Sequence, residues 1–178
     1  ITQNNLRKRS SSITYEDVYD ANDNTYQSAT HFSYDVHGNI DHLVQDIPSL
    51  SGISQQYKHV YYNYDLISDK VNQVDYNPGG LDEYHYKYTY DADNRVTEVY
   101  TSKDAKVWDR DATYQYYKHG PLARTEIGDL KVQGQDYLYT LQGWIKGVNS
   151  NTMNETRDPG RDGDLSLGGN THAAVARD

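Results

Sequence analysis

The sequence predicts an all-β fold, an array of antiparallel β-hairpins, and three observations carry that prediction. First, residues 84–90 read YHYKYTY. Tyrosines at 84, 86, 88 and 90 alternate with His85, Lys87 and Thr89, a period of two that sets four rings on one face of a strand. Second, tyrosine-led segments of this kind recur every 23 to 30 residues, the signature of an array rather than of one compact motif. Third, no long stretch carries the 3.6-residue periodicity of an amphipathic helix.

Five repeats align in order: 33–44 (SYDVHGNIDHLV), 63–74 (NYDLISDKVNQV), 89–100 (TYDADNRVTEVY), 115–126 (QYYKHGPLARTE) and 138–149 (LYTLQGWIKGVN). Their leading tyrosines are Tyr34, Tyr64, Tyr90, Tyr116 and Tyr139. Four repeats place an apolar residue six positions later, at Ile40, Val96, Leu122 and Ile145. The second places Val71 at seven, which predicts one inserted residue in its turn. Gly38, Gly120 and Gly143 share one turn position, where positive φ is often required. In the third repeat 91–94 (DADN) is turn chemistry, because Asp and Asn bond their own backbone and tolerate left-handed conformations. Turns are therefore expected near 35–39, 91–94, 118–121 and 140–143. Equivalent positions in stacked repeats are expected to be neighbours, so Tyr86, Tyr88 and Tyr90 should meet Tyr62, Tyr64, Tyr114 and Tyr116. Residues 151–178, rich in Gly and Asp, read as a loop leading into a further repeat.

Composition narrows the class. Leu, Ile, Val and Phe number only 32 of 178 residues, which with a net charge of −9 would by itself suggest disorder. Nineteen tyrosines against one phenylalanine reverse that reading. Tyrosine is stiff and favours strands, and it buries a ring while keeping a hydroxyl for water or a partner. The acidic balance argues against nucleic acid, and no run of 18 apolar residues is present to span a membrane. The absence of cysteine excludes disulfides, thiol nucleophiles and cysteine-based zinc sites.

Candidate chemistry is sparse. Asp20, Asn22 and Asn24 begin like a calcium loop, but Thr25 stands where glycine is needed and His31 where a bidentate glutamate belongs. Residues 158–164 (DPGRDGD) form an acidic loop that could gather oxygens round calcium. His31, His37, His42, His59, His85 and His119 match no zinc spacing. No GxSxG elbow, no phosphate-binding glycine loop and no marked acid–base pair is present, so no enzyme and no cofactor is expected. Trp108 and Trp144 suit either sugar stacking or packing; for Trp144, which lies in the repeat frame, packing on the adjacent hairpin is expected.

The dipeptides Tyr34-Asp35, Tyr64-Asp65 and Tyr90-Asp91, each opening a hairpin, resemble the RHS-repeat or YD-repeat family. Tyr116 and Tyr139 lead the two departing repeats, in which Tyr117 and Thr140 replace the aspartate. Residues 119–124 (HGPLAR) and 139–149 (YTLQGWIKGVN), with Gly120, Gly143 and Trp144, resemble the closing stretches of a bacterial branch of that family. The resemblance covers about residues 13–150, and residues 1–150 would form the repeat segment. It implies a slice of the wall of a hollow β-sheet shell within a much longer secreted or cell-surface chain. In bacterial members of this kind the shell encloses a C-terminal toxin domain. The implied partners are the remainder of the chain, that toxin, and secretion machinery or a cell surface. The alternative is a tyrosine-rich module that binds a glycan or a protein at the cell surface. In either role phenylalanine would leave a bare apolar patch where tyrosine keeps a polar tip.

Overall fold

A computed structural model describes residues 2–17 and 25–149. They form eleven strands: β1 (Ser12–Tyr15), β2 (Ser28–Tyr34), β3 (Ile40–Asp46), β4 (Tyr57–Tyr64), β5 (Val71–Tyr76), β6 (Tyr84–Tyr90), β7 (Val96–Ser102), β8 (Asp109–Tyr116), β9 (Leu122–Ile127), β10 (Gln133–Tyr139) and β11 (Ile145–Val148). Each strand is hydrogen-bonded to the next in sequence order. Antiparallel hairpin connections permit that order without crossovers. Among the described residues the only helical element is a 3-10 segment, Pro48–Ile53. The five tyrosine-led repeats are the five hairpins β2–β3, β4–β5, β6–β7, β8–β9 and β10–β11. The chain divides into two compact units, Ile1–Lys87 with Ser102–Lys106, and Tyr88–Thr101 with Val107–Asp178.

The first unit shows how alternation sorts residues. Residues directly opposed across strands share a face. Phe32, Leu43, Val60, Tyr76 and Tyr84 oppose one another in turn across β2 to β6, an unbroken apolar and aromatic row. The row on the other face is Ser33, His42, Tyr61, Asp75 and His85. Ser33, His85 and Asp46 are nevertheless buried, alongside Ala29 and Val44. The N-terminal segment contributes to that burial: the Asn4 amide donates to Ser33 Oγ, and Gln3 Nε2 donates to the Phe32 carbonyl. The interior is therefore mixed rather than dry.

Register explains the interval between each tyrosine and its apolar residue. Tyr34 opposes Ile40, Tyr64 opposes Val71, Tyr116 opposes Leu122 and Tyr139 opposes Ile145. In each of these hairpins the ladder is irregular immediately before the tyrosine, between Ser33 and Tyr34, Asn63 and Tyr64, Gln115 and Tyr116, and Leu138 and Tyr139. One extra residue on a strand bends it and increases its local twist. The tyrosine ladder needs correction at one point. Tyr62 and Tyr86 both oppose Val74, so the aliphatic residue of the return strand stands between the two rings. Equivalent residues of successive hairpins are two strands apart, not one.

In the second unit the corresponding rows are charged. Gln115, Arg124 and Asp136 oppose one another across β8 to β10, next to the row Thr113, Glu126 and Gly134. Arg124, Glu126 and Asp136 are all buried.

Candidate functional site: the repeat frame and a cleft at the last two turns

The residue after each leading tyrosine closes its turn. The backbone N–H of Asp35 donates to Asn39 O, that of Asp65 to Lys70 O, and that of Asp91 to Arg95 O. Tyr117 and Thr140 make the same bond to Pro121 O and Trp144 O. The inserted residue of the second repeat lengthens its turn, as the sequence predicts, since Lys70 lies five residues beyond Asp65 rather than four.

The aspartate side chains reinforce the turns. Asp35 Oδ1 accepts the N–H groups of Gly38 and Asn39 at 2.6 and 2.8 Å. Asp65 Oδ1 accepts from Ile67 and Ser68, and Asp91 Oδ1 from Asp93 and Arg95. Burial of Asp35 works against its charge, but the donors of Asn39 and Gly38 outweigh it and hold the carboxyl below its ordinary pKa. The Ser68 backbone donor does the same for Asp65, and the Arg95 donor for Asp91. The Thr140 hydroxyl takes over the role in the fifth repeat by accepting the Trp144 N–H.

The leading tyrosines link repeats. The Tyr64 hydroxyl donates to the main-chain oxygen of Ile40, 2.9 Å away, and Tyr116 donates to that of Val96, 2.7 Å away. Ile40 and Val96 are the apolar residues that follow the preceding turns. Tyr34 makes a comparable bond to Ser10 O at 3.0 Å. Burial raises the pKa of the Tyr64 and Tyr116 hydroxyls, which keeps them donors. Arg95 adds a second link: it pairs with Asp91 at 2.7 Å, donates to Gly120 O, and lies 4.6 Å over the Tyr116 ring.

At the turns of the fourth and fifth repeats a cleft of about 380 Å³ opens. Its walls include Tyr117, His119, Pro121, Leu138, Tyr139 and Leu141. The Tyr117 ring stacks on His119 at 5.2 Å and meets Tyr139 edge-on at 6.3 Å. Beside it Trp144 is 74% exposed. That corrects the expectation that Trp144 packs on an adjacent hairpin: β11 is the last described strand, and no described strand flanks its far side. Aromatic walls and an exposed indole can stack on a flat or ring-shaped ligand.

The sequence reading missed the buried ion network. Arg124 pairs with Asp136 at 2.7 Å and with Glu126 at 3.2 Å, and Lys131 reaches Glu126 at 2.7 Å. Burial opposes ionisation of Glu126, and Lys131 and Arg124 overcome it, so its pKa lies below the ordinary value. The two-residue spacing of Arg124 and Glu126 was the available signal.

The histidines disperse. His42 Nε2 lies 3.0 Å from His59 Nδ1, His85 pairs with Asp75 at 2.6 Å, and His37 lies 3.9 Å from Asp35. Among the described residues no three metal-ligating side chains converge. No described helix is long and apolar enough to cross a membrane. Asp20, Asn22 and Asn24, the acidic loop 158–164 and the lead-in 151–178 lie outside the described residues. No protein-family model and no curated protein matches this chain.

Proposed function

We propose that the chain is a non-enzymatic structural segment of an RHS or YD-repeat shell, part of a wall that encapsulates or carries a C-terminal toxin or effector domain of a large secreted or surface protein. The observation that supports this most is the hydroxyl link between repeats, from Tyr64 to Ile40 and from Tyr116 to Val96. A hairpin that bonds through its leading tyrosine to its predecessor is a stackable element, and stacking is how an array buries what one hairpin cannot. The test is limited proteolysis of the full natural polypeptide. The region beyond residue 178 should survive protease that digests the same region expressed alone. Equal digestion rates would overturn the shell reading.

A second reading, glycan or protein binding at the cell surface, draws on the cleft and exposed Trp144. It predicts saturable binding to an oligosaccharide array that Trp144→Ala abolishes without lowering the melting temperature. Absence of any such binding removes it.

A further inference from the structure

Lys58 on β4 and Asn77, the residue following β5, share one carboxylate. Lys58 Nζ lies 2.8 Å from Asp82 Oδ2, while Asn77 Nδ2 donates to Asp82 Oδ1. Lys58 also donates to Gln55 Oε1, and the Tyr76 hydroxyl donates to Asp82 Oδ2 at 3.4 Å. The amine and the carboxamide are both withdrawn from water: the Lys58 side chain is 7% exposed and Asn77 8%. Their strands are neighbours, with Val60 opposing Tyr76 and the Asn77 N–H donating to His59 O. A Cβ on Gly80 would collide with Asn77 Nδ2, so glycine there leaves the carboxamide its place.

A buried lysine needs a partner, and one carboxylate supplies that. It does not require a buried asparagine on the other oxygen of the same carboxylate. An amine, a carboxamide and a bridging acid–base are the parts of an acyl transfer within the chain. We propose that Lys58 and Asn77 become joined by an intramolecular isopeptide bond, with Asp82 as the catalytic acid–base.

Asp82 Oδ2 takes one proton from the Lys58 ammonium. The freed lone pair of Nζ adds to Asn77 Cγ, forming the Nζ–Cγ bond. The Cγ–Nδ2 bond then breaks, and Nδ2 leaves with the proton held by Asp82 and the second proton lost by Nζ. Ammonium and carboxamide give a secondary amide and ammonium, Asp82 returns to its carboxylate, and nothing is oxidised or reduced. The Asp82 side chain is 44% exposed, which gives the leaving group a route to water. Loss of ammonia by ring closure onto the following backbone nitrogen is blocked at this asparagine, because Pro78 has no N–H. The bond would staple β4 to β5 covalently in a chain that has no cysteine.

The experiment is intact mass spectrometry of the purified full chain, in a preparation whose circular dichroism shows folded β-sheet. The expected mass is the sequence mass less one ammonia. Trypsin should leave Lys58 uncut and release one branched peptide joining the Lys58 and Asn77 segments. Lys58→Arg and Asp82→Ala should each show the unreduced mass of their own sequences. Folded wild-type chain at full sequence mass, cut after Lys58, would overturn the bond. An ammonia loss that persists in Lys58→Arg would overturn its location, and a branched peptide in Asp82→Ala would overturn the role of Asp82.

Discussion

A tyrosine at the head of a hairpin does two things that phenylalanine cannot combine. Its ring adds apolar surface to the sheet face, and its hydroxyl donates to a main-chain carbonyl of the preceding hairpin, Ile40 for Tyr64 and Val96 for Tyr116. Tyr64→Phe keeps the ring and deletes the bond to Ile40, so it should cost about 1 kcal/mol. Tyr62→Phe, a hydroxyl with no such bond among the described residues, should cost clearly less; urea midpoints of the two variants make the comparison. The aspartates beside the tyrosines give a pH dependence. Asp35, Asp65 and Asp91 each have a folded pKa below the ordinary value of about 3.9. Their contribution is complete above that value and is lost as pH falls through the folded pKa values. Urea midpoints measured from neutral to acid pH should therefore drop, and the triple change to Asn should flatten that limb. The tyrosine-to-apolar interval was legible in sequence because it is a local count that register converts into a direct pairing. Trp144 was not, because its exposure depends on which strand lies beyond it.

At the scale of the hairpin, one turn position has positive φ in every repeat. Gly38, Gly120 and Gly143 occupy it in three repeats; Asn94, at 61°, and Asp69, at 55°, occupy it in the others. The left-handed region is costly for residues with a Cβ, least so for Asn and Asp. Space is not the constraint at Gly120, where an added Cβ would meet nothing within 4 Å. Gly120→Ala should thus lose about 1–2 kcal/mol through the backbone alone. Asn94→Gly should change stability by only a few tenths. Thermal melts would compare the two, and an unchanged melt for Gly120→Ala would contradict the turn as described. The glycine positions were readable from the aligned repeats. The ladder irregularities were not, since they arise from how the partner strand pairs rather than from any one residue type.

Across the molecule, burial falls on charges as much as on hydrocarbon. Arg124, at 2% exposure, holds Glu126 and Asp136 together. Arg124→Met would leave two buried carboxylates short of a cation and should cost about 3–5 kcal/mol, read as a fall in urea midpoint. Replacing the arginine and both carboxylates by apolar residues of similar volume should restore much of that loss. The two-residue spacing of Arg124 and Glu126 puts them on one face of β9, but only pairing with β8 and β10 makes that face an interior. The hydroxyl bonds of Tyr64 and Tyr116 have one further property. Tyr64 reaches back to Ile40, and Tyr116 back to Val96; in both of these links the donor comes later in the chain than its acceptor, whereas Tyr117, beside the leading tyrosine, reaches forward to Tyr137 O. A polypeptide released from its N-terminus onward therefore offers Tyr64 and Tyr116 a carbonyl already in position. These two links have a direction in time as well as in space, and growth from the opposite end would leave both acceptors waiting to be made.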